Sequence, residues 1–289
     1  MKPSLLRRAL PWVAAALLTL GTMAYQDKTG PTYPLEVSLS TAAGPVHGIF
    51  LRSETIGTSL KVMLVDPVPP GVSAQVRYRR YRSNDEWSTV AMQRGEFSMT
   101  RRGRQRVVRG LGVELPSLRE RAGKYEYFVD VMGGGPKVSA TGDKPIYARY
   151  KAPVPGPVLA LHILAIFASL LVAMRTALAA LGDGPLKALL RWTLALLLVG
   201  GFVLGPIVQW YAFGVLWSGF PYGYDWTDNK VVVELAFWLV ALWRNRGERR
   251  DRWSVLVAGM ATLAIFLVPH SIFGSEYNYI TGKGHGTTG

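Results

Sequence analysis

Cysteine is absent from the 289-residue chain, which excludes disulfides, thiolate metal sites and a cysteine nucleophile. Charge is scarce. Only 18% of residues are charged, against roughly 25% in an ordinary soluble domain, and this argues against a wholly soluble globular protein. Acid is the scarcer sign: 19 Asp and Glu face 33 Lys and Arg, for a net charge of +14. There are four histidines and no HExxH or other tight metal-binding motif. No glycine-rich phosphate loop is present and no Ser-His-Asp order stands out, so hydrolases and transferases find no support. Aromatics are abundant, with 9 Trp, 13 Tyr and 10 Phe, and that excludes a disordered chain.

The apolar residues are unevenly spread. A helix crossing the ~30 Å hydrocarbon core needs about 20 mostly apolar residues. Five runs approach this, at 9–25, 156–181, 189–213, 231–243 and 253–273. The first follows Lys2, Arg7 and Arg8 and reads as a signal anchor or signal peptide, with 22–24 a mediocre cleavage site. The third holds Pro206, which should kink it. Lys and Arg collect at three places: the N-terminus, the loop around Lys187, and 244–252 with its five arginines. One alternation places all three in the cytoplasm. Residues 26–155 and the C-terminal tail then face the other side. Trp12, Trp192, Trp210, Trp217, Trp226 and Trp253 lie near span ends, as interfacial belts require.

Residues 26–152 have a different character. They hold 20 Lys and Arg against 12 Asp and Glu. Short alternating runs rich in β-branched and aromatic residues start near Ile49, Leu60, Ala74 and Lys124, with turns at Pro67–Gly71 and Gly133–Pro136. The expected architecture is a multi-domain membrane protein. It comprises an N-terminal anchor helix (1–25), an all-β sandwich of immunoglobulin or fibronectin type III size (26–152), a bundle of four transmembrane helices (153–280) and a flexible tail (281–289). The densest charge run includes Arg101, Arg102, Arg104, Arg106 and Arg109. It reads as a solvated hairpin or edge strand, or as a contact for anionic headgroups or an acidic partner. Nucleic acid is a poor reading and is not expected as a partner, because this basic patch should lie outside the cytoplasm.

Ionisable groups inside a membrane are costly and mark functional candidates. His162 and His270 fall at similar expected depth on different spans, so they are candidate axial ligands of a haem b held in the bundle. The same histidines with Asp225, Asp228 and Glu276 form a second candidate, a divalent metal site. Glu234 and Gln209 are the remaining polar residues in or near the spans. The plain alternatives are that the histidines satisfy backbone carbonyls and that Asp228 caps a helix.

Two resemblances add to this reading. Residues 114–129, a polar turn ending in Gly123 before alternating aromatics, resemble the E–F corner of fibronectin type III domains and imply a β-sandwich. Residues 207–230 with 269–276 resemble a family of uncharacterised bacterial inner-membrane proteins, which implies identity without mechanism. The expectation is an integral inner-membrane protein, lipid-embedded, with no catalytic constellation. It is either haem- or redox-linked at the periplasmic face, or a non-catalytic anchor or assembly protein whose sandwich binds a periplasmic or membrane protein partner. A small transporter is disfavoured by the lack of an internal repeat.

Overall fold

The computed structural model describes residues 5–101, 104–270 and 274–284. Arg102 of the basic run and positions 285–289 of the tail lie outside them, as do the side chains of Arg101 and Arg104. The chain divides into two compact units. One is helical and gathers the N-terminus to Pro31 with Val154–Gly274; the other is a β unit formed by Thr32–Pro153 with Ser275–Gly286.

The β unit has two sheets. The first runs β1(Leu35–Thr41), β2(Gly44–Phe50), β4(Leu60–Val65), β8(Arg104–Leu115), β7(Gln93–Arg101). The second runs β3(Ser53–Thr55), β11(Ile146–Lys151), β9(Lys124–Met132), β5(Ser73–Arg80), β6(Ser88–Ala91), with the short β10(Val138–Ser139) beside β9. All pairs are antiparallel except β11 with β3. Strand alternation explains the core. On β5, Ala74, Val76 and Tyr78 point inward; on β9, Tyr125, Tyr127, Val129 and Val131 do; on β11, Ile146, Ala148 and Tyr150 do. They meet Val46, Phe50, Leu60, Val62, Leu64, Leu111 and Leu115 of the first sheet. β4 is apolar at every position but Lys61, for a separate reason. Its other face carries Met63, which forms a second small core with Phe97 and Met99 under β7. A strand buried on both faces has no reason to alternate. The corner 116–123 between β8 and β9 is where the fibronectin-like resemblance fell. The basic run lies on the β7–β8 hairpin, where β7 is an edge and β8 is internal, and Arg109 pairs with Glu96 at 2.7 Å.

The helical unit holds α1(Leu5–Thr29), α2(Gly156–Ala180), α3(Leu186–Leu197), a π segment (Leu198–Leu204), α4(Gly205–Phe213), α5(Trp226–Arg244) and α6(Arg252–Leu267). Pro157 stands in the first turn of α2, where its missing N–H interrupts nothing. The kink expected at Pro206 takes the form of the π segment. Proline cannot donate to the carbonyl one turn back, and the N–H of Gly205 reaches the carbonyl of Gly200 five residues back.

The expected bundle of four transmembrane helices is not what the chain forms. Among the described residues, two helices are long and apolar enough to cross a membrane: Gly156–Ala180, and the continuous 28-residue rod Leu186–Phe213. The fourth expected span fails on charge, because α5 opens with Asp228, Lys230 and Glu234 inside its first turns. The fifth fails on length. α6 has 16 residues, about 24 Å at 1.5 Å per residue, because it stops two residues before Pro269.

The ends of the helical unit are tied by hydrogen bonds. Arg250 of the α5–α6 loop donates to the carbonyls of Gly182 (2.6 Å) and Gly184 (3.0 Å) in the α2–α3 loop. Arg252 pairs with Asp183 at 3.1 Å, and Lys187 donates to the carbonyl of Gly247. The two arginine- and lysine-bearing loops therefore lie at the same end.

Candidate functional site

The polar residues singled out in the helical half fall into separate environments. At the start of α5, Asp225 is the N-cap: its carboxylate accepts the Thr227 N–H at 2.8 Å. The expected cap, Asp228, is one turn further and does different work. Its Oδ2 accepts the backbone N–H of Ser218 (2.7 Å) and of Gly219 (3.0 Å), the Ser218 hydroxyl (3.2 Å) and the Gln209 amide (3.2 Å). The Ser218 hydroxyl also lies 3.2 Å from Asp225 Oδ2. Both carboxyl groups are buried, at 6% and 7% exposure. Gln209, Asp225 and Asp228 thus meet through Ser218, a residue the sequence reading missed. Gly219 is required for the approach, since a Cβ there would stand 2.6 Å from the Asp228 Cβ. Asn229 completes the loop, accepting the Phe220 N–H at 2.7 Å.

Glu234 is 2% exposed and accepts a hydrogen bond from Thr262 Oγ of α6 at 3.1 Å. The Trp238 indole N–H donates to the same hydroxyl at 2.8 Å. Thr262 is a lone hydroxyl in an apolar run, and nothing in its position within that run signals the pairing. Lys230, one turn before Glu234, donates to the carbonyl of Val268 at 3.0 Å. Gln26 of α1 donates to the carbonyls of Phe266 and Val268. Between them, the two side chains satisfy carbonyls left open at the end of α6.

The two histidines are held differently. His162 donates from Nδ1 to the carbonyl of Gly200 at 3.0 Å, at the point where the π segment begins to depart from α-helical pairing. His270 is exposed just past α6, and its backbone N–H donates to Gln26 Oε1 at 2.9 Å. Glu276 belongs to the β unit. There it pairs with Arg82 at 2.8 Å and Lys124 at 2.6 Å. The proposed metal set of His162, His270, Asp225, Asp228 and Glu276 is therefore distributed over both units. Among the described residues no group of three or more His, Asp or Glu side chains is arranged to hold a metal ion.

The β unit carries a second constellation, on the outer face of the second sheet. Strand alternation sends Gln75, Arg77 and Arg79 of β5 to that face, with Glu126, Phe128 and Asp130 of β9 and Tyr147 and Arg149 of β11. The Arg77 guanidinium lies 5.1 Å from the Phe128 ring centre, and that of Arg79 lies 4.6 Å from Trp87. Tyr81 and Tyr147 meet edge to face at 4.9 Å. Each carboxylate of the face lies beneath cations. Asp130 is reached by Arg77 at 3.2 Å and Lys137 at 3.3 Å, and Glu126 by Arg79 at 2.6 Å. Asp130 is 2% exposed as a side chain, whereas Arg77 and Lys137 keep 39% and 53%. The outward surface is therefore cationic and aromatic even where the pairs are balanced.

At one margin of this unit the tail 275–284 is fastened down. The Tyr279 hydroxyl lies 3.1 Å from Glu120, and the Arg80 guanidinium covers its ring at 4.5 Å. Burial pulls the Lys124 ammonium down to about 8; Arg149 acts in the same direction, and Glu276 opposes it. Arg80 holds Asp85 below the usual carboxylate range by a two-pronged hydrogen bond at 2.6 and 2.7 Å.

No family model, no curated protein and no solved structure matches the chain.

Proposed function

We propose that the protein is a non-catalytic, membrane-anchored interaction protein of a bacterial cytoplasmic membrane. In this reading α2 and the rod Leu186–Phe213 cross the bilayer, with α1, α5 and α6 packed alongside them. The β unit stands on the extracytoplasmic side and meets an acidic partner with the outer face of its second sheet. Support for the membrane comes from the two apolar helices and from large apolar side chains exposed on the helical unit, such as Leu161, Leu164, Val203 and Val240. Exposed apolar surface of that extent marks contact with lipid or protein. The orientation rests on Lys187 and the arginines of the α5–α6 loop, which share one end and by the positive-inside rule belong in the cytoplasm. The fibronectin type III-like assignment of the sandwich and the resemblance to inner-membrane proteins belong to the same proposal.

The observation that carries the reading is the arginine–aromatic face, whose carboxylates are covered while its cations stay exposed. Such a surface steers and orients an anionic partner more than it adds raw affinity. A photo-crosslinking residue at Thr89 or Tyr147 of the full-length protein in cells is expected to capture a partner, whereas one at Ser40 on the other sheet is not. The double change Arg77→Glu and Arg79→Glu should abolish the adduct while leaving the protein in the membrane fraction. Equal capture from both sheets, or capture unchanged by the charge reversal, would remove this face from the function.

A further inference from the structure

Arg175 stands on α2, five residues before its end at Ala180. Its Nε and Nη1 are buried, and no acceptor among the described residues reaches either. Three other arginines at this end of the helical unit are engaged where they leave the loops. Arg244 pairs with Asp251, Arg250 donates to loop carbonyls, and Arg252 pairs with Asp183. Asp183 and Asp251 of these loops are thereby occupied. Residues 1–8 contain no carboxylate. Arg175 itself is half-buried; a guanidinium stays protonated at any accessible pH, so its N–H groups at such a place favour an anion or carbonyls as partners. The ring of Trp12 on α1 lies 5.5 Å from the guanidinium carbon and is 43% exposed. Beside it Leu10 and Val13 are also exposed.

We infer that Arg175 and Trp12 form a binding site, between α1 and α2, for the phosphate of an anionic phospholipid. The inference rests on the membrane reading above. Five residues of helix amount to about 8 Å, which puts the guanidinium near headgroup depth once the end of α2 reaches the cytoplasmic interface. Arginine donates charge-assisted hydrogen bonds to a phosphodiester, and tryptophan sits where hydrocarbon meets headgroup. The apolar side chains beside Trp12 suit acyl chains, which free phosphate lacks.

The test uses the full-length protein in neutral detergent, titrated with phosphatidylglycerol, phosphatidylcholine or inorganic phosphate and read by native mass spectrometry and by thermal unfolding. Wild type is expected to hold phosphatidylglycerol in preference to phosphatidylcholine. Arg175→Gln should weaken that binding by about tenfold or more, the worth of a charge-assisted hydrogen bond, and Arg249→Gln should leave it unchanged. Equal retention by Arg175→Gln and wild type would overturn the site. So would a gain in wild-type melting temperature as large with inorganic phosphate as with phosphatidylglycerol. If Arg175→Gln does not fold, Trp12→Ala and the wild-type stabilisation decide: no selective gain from phosphatidylglycerol overturns the proposal. A chain that stays in solution without detergent overturns the membrane reading itself, a result distinct from a membrane-bound chain indifferent to lipid charge.

Discussion

Asp225 and Asp228 stand three residues apart at the start of one helix, and their environments separate their roles. Asp225 satisfies one N–H of α5, an N-cap whose loss typically costs about 1 kcal/mol. Asp228 satisfies two N–H groups of the preceding loop together with Ser218 and Gln209. Removing its carboxylate strands several buried donors, at about 1–3 kcal/mol for each group left unpaired. Asp228→Ala is therefore expected to lower stability by about 3 kcal/mol and Asp225→Ala by about 1 kcal/mol, as read by denaturant unfolding in detergent. Equal losses would return Asp228 to the role of a plain helix cap. The spacing of acids before an apolar run identifies a helix start, but it does not say which acid caps it. That choice is made by where the loop 214–225 folds back, and Ser218 gives no sign of it in the sequence.

At the scale of elements, the π segment matters most to the helical unit. It arises from Pro206 and is held at Gly200 by His162. Gly201 packs so closely on α5 that a Cβ would meet Val231 at 2.6 Å. Valine is stiff about χ1 and cannot swing away freely. Gly201→Ala should thus cost about 1–3 kcal/mol through overpacking, whereas Gly182→Ala, in open space, should stay within about 0.5 kcal/mol. Unfolding midpoints of the two variants in one detergent provide the check. Element boundaries were partly legible. The run at 60–65 is β4, and the run from 156 is α2, because each is bounded by turn or proline signals. The fourth expected span begins, as α5, at Trp226 rather than near 231, because Asp225 supplies a cap and Asp228 is accommodated on the buried side. The fifth expected span, α6, stops at Leu267, because Pro269 cannot continue it.

For the whole molecule, the last described residues belong to the unit formed earlier in the chain. Glu276 neutralises Lys124 and Arg82, and Tyr279 is held by Glu120 and Arg80. Deleting 275–289 leaves Lys124 buried without its carboxylate, a loss of about 3 kcal/mol for a broken buried pair. Hydrogen exchange of the full-length and shortened proteins should show faster exchange over β9 and β11 in the shortened one and little change over α2. Unchanged protection of β9 would mean that the tail contributes nothing to the β unit.

The sequence by itself determined the division into an alternating β-rich half and an apolar helical half, because strand and helix periodicities differ and are written locally. It also determined the basic loops, since charge is counted residue by residue. The structure decided that two helices rather than four meet the requirements of a membrane span, because α5 takes in Asp228, Lys230 and Glu234 and a downstream proline shortens α6. It likewise decided that Glu276 serves the β unit, that His162 completes a π segment, and that two nitrogens of Arg175 meet no acceptor among the described residues. Those outcomes depend on which side chains meet across long stretches of chain, and no local pattern contains that information.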